Sequence, residues 1–144
     1  LVLVHFGCGA FQEFKLEYAK LVGRVWFGIK PPPGHRQHDP RGPFQVNIAD
    51  KSHPIMVGMN DFDTDDELYT CLEGDAPIEV IATARSKVDG QVHPMAFLYR
   101  YDQGRVFSCT LGHDVRALRI EAVGDLYRRG CAWSAGLPPV VENN

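Results

Sequence analysis

Leu1-Val2-Leu3-Val4, followed by His5-Phe6-Gly7-Cys8-Gly9-Ala10, is a continuous aliphatic run that ends in glycines. This is the pattern of a buried parallel strand that enters a loop at its carboxyl end. Just downstream, Phe14, Ala19, Leu21 and Val22, with Tyr18 beside them, share one helical face over residues 11–22, and Gly23 supplies a C-terminal stop. Strand, loop and helix in that order predict an α/β domain built on a mostly parallel sheet, with residues 1–4 as an interior strand.

Working outward, residues 44–49, 78–84, 95–101 and 105–111 carry strand patterns. Asp102-Gln103-Gly104 is a tight-turn signal between the last two, so 95–111 reads as a hairpin that extends or covers the sheet. After Gly112-His113, the positions Leu118, Ala122, Val123, Leu126 and Tyr127 repeat with helical period as far as Gly130. Residues 30–43 hold five prolines and cannot be helix or central strand, because proline removes a donor and fixes φ. They read as a long surface loop.

The chain has 144 residues, enough for one domain with a substantial core. With 44% hydrophobic and 23% charged residues it has the composition of a water-soluble globular protein. No apolar run approaches the roughly 18–20 residues of a spanning helix. A net charge of -3 argues against nucleic-acid or membrane partners, which call for a basic face, and in favour of a small molecule. The four cysteines show no CxxC pair, so reduced thiols are expected rather than a disulfide framework or zinc knuckle. The start at Leu1 implies an upstream segment. A cytoplasmic location is expected, with any targeting signal ahead of Leu1.

Two of the six histidines stand out by position. His5 closes the first predicted strand and His113 the last, and the carboxyl ends of parallel strands share one rim where ligands bind. The two imidazoles are therefore expected to face each other, although a histidine that merely binds a loop carbonyl is the ordinary alternative. Residues 52–84 contain no Lys or Arg but eight carboxylates. Within them, Asp61 to Asp65 imitate the start of a calcium loop. Asp66 stands where that loop needs glycine and Leu72 where it needs glutamate, so an EF-hand is excluded. Asp61, Asp63 and Asp65 read as a solvated acidic loop. Glu67 is followed by Leu68 and Tyr69, and this apolar flank predicts that the chain turns inward there.

Cys8 lies between glycines just past a strand, where nearby amides can activate a thiol, and with His113 and Asp114 it would complete a nucleophilic triad. The register counts against it. An amidotransferase nucleophile elbow carries glycines two residues before and two after the nucleophile, where Cys8 has Phe6 and Ala10. His5, with Gly7 after it, stands nearer that position, and Cys8 reads as a small packing residue.

Taken in order, His53-Pro54-Ile55 with Gly58 and Asp66-Glu67-Leu68-Tyr69, then Gly104-Arg105-Val106-Phe107 running to Leu111-Gly112-His113, then Gly130 with Trp133-Ser134-Ala135-Gly136 make a recognisable set. The chain resembles the trehalose-utilisation (ThuA-like) family along its whole length. The resemblance implies a flavodoxin-like, class I glutamine-amidotransferase-like sheet without the amidotransferase cysteine. It also implies upstream strands that this chain lacks, so residues 1–144 would be one partial domain, its carboxyl-terminal part, with an exposed apolar edge that invites homo-oligomers. The family is associated with uptake and conversion of disaccharides, including 3-keto sugars. On this reading His5, Glu67 and His113 are catalytic, and His53, Asp66, Tyr69 and Asp114 bind the sugar. The same imidazole and carboxylate set suits a divalent metal such as zinc, manganese or iron, although no ligand spacing identifies one. The rival readings are a non-catalytic sugar-binding or regulatory module and a cysteine hydrolase using Cys8, His113 and Asp114.

Overall fold

The computed structural model describes residues 1–26 and 37–140. Of the proline-rich stretch expected as a loop, residues 30–36 lie outside the described residues. Gly42 and Pro43 instead open a strand.

Eight strands are described: β1 (Val2–Val4), β2 (Val25–Trp26), β3 (Gly42–Ile48), β4 (Phe62–Asp66), β5 (Leu72–Glu73), β6 (Glu79–Arg85), β7 (Val92–Tyr101) and β8 (Gly104–Cys109). The helices are α1 (Lys15–Val22), α2 (Val115–Leu118) and α3 (Glu121–Ser134), with 3-10 turns at His5–Gly9 and Gln12–Phe14. Six strands form one sheet in the order β1-β8-β7-β6-β3-β4, and β2 pairs with β5 separately. The class is α/β as expected, but the sheet is mostly antiparallel, not mostly parallel. Only β1 and β8 run parallel, and the other four pairings are antiparallel.

Two further expectations are corrected. Residues 2–4 form an edge strand of the described sheet rather than an interior one, and the β7–β8 hairpin lies inside the sheet between β1 and β6. The hairpin turn is where the sequence places it, with Asp102 in the left-handed region at φ 53°. Pro43 is tolerated because β6 pairs with β3 only from Val46 onward, so no ladder bond is needed from its missing N–H on that side. The acidic stretch forms β4, an edge strand rather than a loop. Asp63 and Asp65 face solvent while Thr64 and Asp66 are buried. Exposed charge on an edge strand also discourages pairing with another chain.

The sheet is covered on both faces. One core joins Val46, Ile81, Met95, Phe107 and Leu111 to Val123 and Leu126 of α3. A second joins Leu3, Cys8 and Val106 to Val22, Val25, Trp26 and Tyr69 on the side of α1. Successive residues of β8, Val106 and Phe107, thus feed opposite cores, as the strand period of two requires. α3 continues past Gly130 instead of stopping there. A Cβ at Gly130 would come within 2.5 Å of the Phe107 ring, so glycine lets the helix lie directly on β8.

Candidate active site

β1 and β8 are parallel, so Val4 and Cys109 end side by side and the segments that follow emerge at the same rim. His5 leaves β1 with φ 45°, a left-handed conformation that costs a non-glycine residue about 1 kcal/mol or more and persists where the surroundings impose it. Its Nδ1 lies 2.8 Å from the Thr110 carbonyl oxygen. A carbonyl only accepts, so Nδ1 carries the hydrogen and Nε2 of the neutral ring presents a lone pair. Nε2 is 3.1 Å from the Tyr69 hydroxyl, 3.4 Å from His113 Nδ1 and 3.6 Å from Glu67 Oε2.

His113 is delivered by the loop that leaves β8. Gly112 sits at φ 104°, and a Cβ there would meet Leu118 at 2.8 Å, so both backbone shape and space call for glycine. The Tyr127 hydroxyl pins this loop at 2.5 Å from the Leu111 oxygen and 3.0 Å from the Cys109 oxygen. From the other side, the buried Asp66 carboxylate accepts from the amides of Gly112 at 2.6 Å, His113 at 3.1 Å and Glu67 at 2.8 Å. Because β4 lies at the sheet edge opposite β1, these bonds mean that the sheet curls to bring β4 to the end of β8. One carboxylate therefore holds the backbone of both His113 and Glu67, and Glu67 Oε2 ends 3.2 Å from His113 Nδ1.

Tyr69 closes the inner wall. Its ring stacks on Trp26 at 5.1 Å and 23° and lies 4.8 Å from the His5 ring. Burial, with Cys8 and the Glu67 and Asp66 carboxylates nearby, pushes its phenol well above the ordinary value. Tyr69 therefore stays a neutral O–H donor, able to donate to His5 Nε2. The site opens outward through His113, whose side chain is 42% exposed against 11% for His5 and 17% for Glu67. His5, Glu67 and His113 each offer one ligand atom, all within 4.8 Å of one another.

The remaining sequence candidates fall elsewhere. Asp66 lies beneath the site with its oxygens engaged by amides, which makes it a positioning residue rather than a sugar contact. Asp114 caps α2 by accepting from the Arg116 and Ala117 amides and also pairs with Arg41 at 2.6 Å and Arg116 at 2.8 Å. These partners hold its carboxyl below the usual carboxylate range. His53 does not join His5. Its Nδ1 accepts from the Ile55 amide, and it lines a cavity of about 300 Å³ with Glu79, Arg100 and Trp133. Arg105, at the start of β8, bonds the Trp133 carbonyl, whereas His5 bonds Thr110 past the strand's end. Those positions are five residues apart, about 16 Å along a strand.

Cys8 is fully buried, its thiol donates to the His5 carbonyl at 3.2 Å, and burial pushes it up to about 12. A protonated, enclosed thiol does not serve as a nucleophile, which removes the support for the cysteine hydrolase. Sequence reading missed Thr110, Trp26 and Arg41. Thr110 acts through its backbone and leaves no sequence signal. Arg41, which spans Asp65 and Asp114, was hidden in the proline-rich stretch.

No described helix is long and apolar enough to cross a membrane. A search of curated proteins found no significant match. Among solved structures, a ThuA-like protein from Parabacteroides merdae ATCC 43184 superposes with a TM-score of 0.82 at 24% identity, over 99% of this chain and 62% of that one. A ThuA-like protein from Bacteroides uniformis ATCC 8492 gives 0.65 at 14% identity, over 96% and 60% respectively. The chain thus spans about three-fifths of the length of these relatives. The family model ThuA, described as trehalose utilisation, matches residues 1–134, and the chain belongs to the ThuA family.

Proposed function

We propose that this chain handles carbohydrate, acting on a disaccharide or keto-sugar through the centre formed by His5, Glu67 and His113. The observation that carries this reading is the meeting of three proton-accepting or ligating atoms within 4.8 Å at the shared rim of β1 and β8. His5 Nε2, with its tautomer fixed by the Thr110 carbonyl, is placed to accept a proton from a sugar hydroxyl. Glu67 Oε2 faces both imidazoles, 3.6 Å from His5 Nε2 and 3.2 Å from His113 Nδ1, within reach of a proton carried by either ring. The Tyr69 O–H donates to Nε2 in the resting site and is free to turn to a sugar oxygen when Nε2 takes a proton. His113, at the opening, meets the incoming ring first. We also read the parallel β1–β8 pair, between helices on opposite faces, as the portion of a flavodoxin-like, amidotransferase-like sheet carried by this chain.

Incubation with trehalose, 3-keto-trehalose and related 3-keto disaccharides, with products read by NMR, tests the proposal. Glu67→Gln and His113→Ala are expected to lower turnover by about 100-fold or more, the usual worth of a positioned proton-transfer group. Turnover unaffected by both substitutions would place the chemistry elsewhere. Binding without turnover would favour a sugar-binding module.

A further inference from the structure

We infer that the same centre is a divalent transition-metal site, with His5 Nε2, Glu67 Oε2 and His113 Nδ1 as its three protein ligands. This deepens the carbohydrate reading and rests on it only for the site's biological use; with an ion held by His5 Nε2, that atom serves as a ligand instead of a proton acceptor, and ion-bound water would take over the proton transfer. The three atoms form a nearly equilateral triangle with sides of 3.2, 3.4 and 3.6 Å. A tetrahedral ion with bonds of about 2.1 Å separates its ligand atoms by about 3.4 Å. An ion above this triangle would reach all three once the Tyr69 O–H, which otherwise donates to His5 Nε2, turns aside.

Protonation favours the same conclusion. His5 Nδ1 gives its hydrogen to the Thr110 carbonyl, so Nε2 and the Glu67 carboxylate are two acceptors facing each other. A cation satisfies both at once. The Thr110 carbonyl is also the partner a metal-bound imidazole ordinarily has, because a hydrogen bond from the other ring nitrogen fixes ring orientation and raises ligand basicity. The Asp66 carboxylate supplies a comparable outer support for the backbones of Glu67 and His113.

Two imidazoles and one carboxylate suit zinc, iron or manganese rather than calcium or magnesium, which prefer all-oxygen shells. The half-open face at His113 leaves a coordination position for water or a sugar oxygen, as in catalytic rather than structural sites.

The test uses Co²⁺ and Zn²⁺ alone on chelator-treated protein. Calorimetry and the visible absorption of bound Co²⁺ should show one ion per chain, displaced by Zn²⁺. Glu67→Gln and His5→Ala, with folding checked by circular dichroism, should weaken binding at least tenfold, and His53→Ala should leave it unchanged. Absence of stoichiometric binding, or equal affinity in both ligand variants, overturns the assignment. Sugar-induced histidine shifts in the metal-free protein are read separately. Sugar contact without metal uptake would refute the metal site alone, and metal uptake without sugar contact would support it while refuting the carbohydrate reading.

Discussion

Asp66→Asn separates a buried organising carboxylate from an ordinary surface one. In the native chain one oxygen of Asp66 receives the Glu67 and His113 amides and the other receives the Gly112 amide at 2.6 Å. Asparagine keeps the shape but offers one acceptor and one donor. Its best orientation keeps the oxygen on Glu67 and His113 and turns the NH2 group against the Gly112 N–H. A buried donor then loses its partner, at about 1–3 kcal/mol, and the two surviving bonds lose their charge assistance. The total is about 3 kcal/mol, a large part of the roughly 5–15 kcal/mol of an ordinary domain but not all of it. Urea denaturation at neutral pH should therefore show a folded protein with a lowered midpoint and an unchanged slope. Asp65→Asn, which alters an exposed pair with Arg41, should stay within about 1 kcal/mol of the native value. If Asp66→Asn were as mild as Asp65→Asn, the idea that this carboxylate holds the His113 loop would be refuted.

Other expectations follow from the packing and the charges. Gly130→Ala gains up to about 1 kcal/mol of helix propensity but drives a methyl into Phe107, so a net loss of about 1–2 kcal/mol is expected, and a stabilised variant would show that α3 does not lie flush on β8. In the folded protein iodoacetamide should modify exposed Cys131 and spare Cys8 and Cys109, whose thiols burial pushes up to about 12, and mass spectrometry showing rapid labelling of Cys8 would revive the nucleophile reading. Asp114 is held below its ordinary pKa by Arg116, the α2 amides and Arg41, so its contribution to stability is complete above the unfolded-state value of about 3.9 and is lost as pH falls toward the folded one. Asp114→Asn keeps a good helix cap and should flatten the acid side of the stability curve, whereas an unchanged acid limb would contradict the role of its charge.

The features that sequence revealed are those governed by local chemistry. Asp102-Gln103-Gly104 announced the β7–β8 turn because few residues accept its left-handed corner. His5 and His113 could be expected together because both follow strands, and β1 and β8 happen to be the one parallel pair among the described strands. Strand direction in the rest of the sheet was not legible. An apolar run is equally consistent with burial inside a parallel sheet and, as at β1, with a parallel edge. β4 was hidden because its inward positions are Thr64 and Asp66, so the usual alternation of apolar and polar residues is absent. Asp66 faces inward to meet backbone amides that no pattern of side chains reveals. His53 lies in an acceptable family block, but its ring packs against Trp133 of α3, whose carbonyl is bonded by Arg105 at the opposite end of β8.

The central claim is that His5 and His113 meet the substrate together and His53 does not. Long-range proton–nitrogen NMR of the imidazoles, recorded while 3-keto-trehalose is added to the metal-free protein, tests this most directly. The ring signals of His5 and His113 should move in parallel with saturation, while those of His53 and His93 stay fixed. Movement confined to His53, beside the cavity at Trp133, or sugar binding that leaves both His5 and His113 unmoved, would contradict the account.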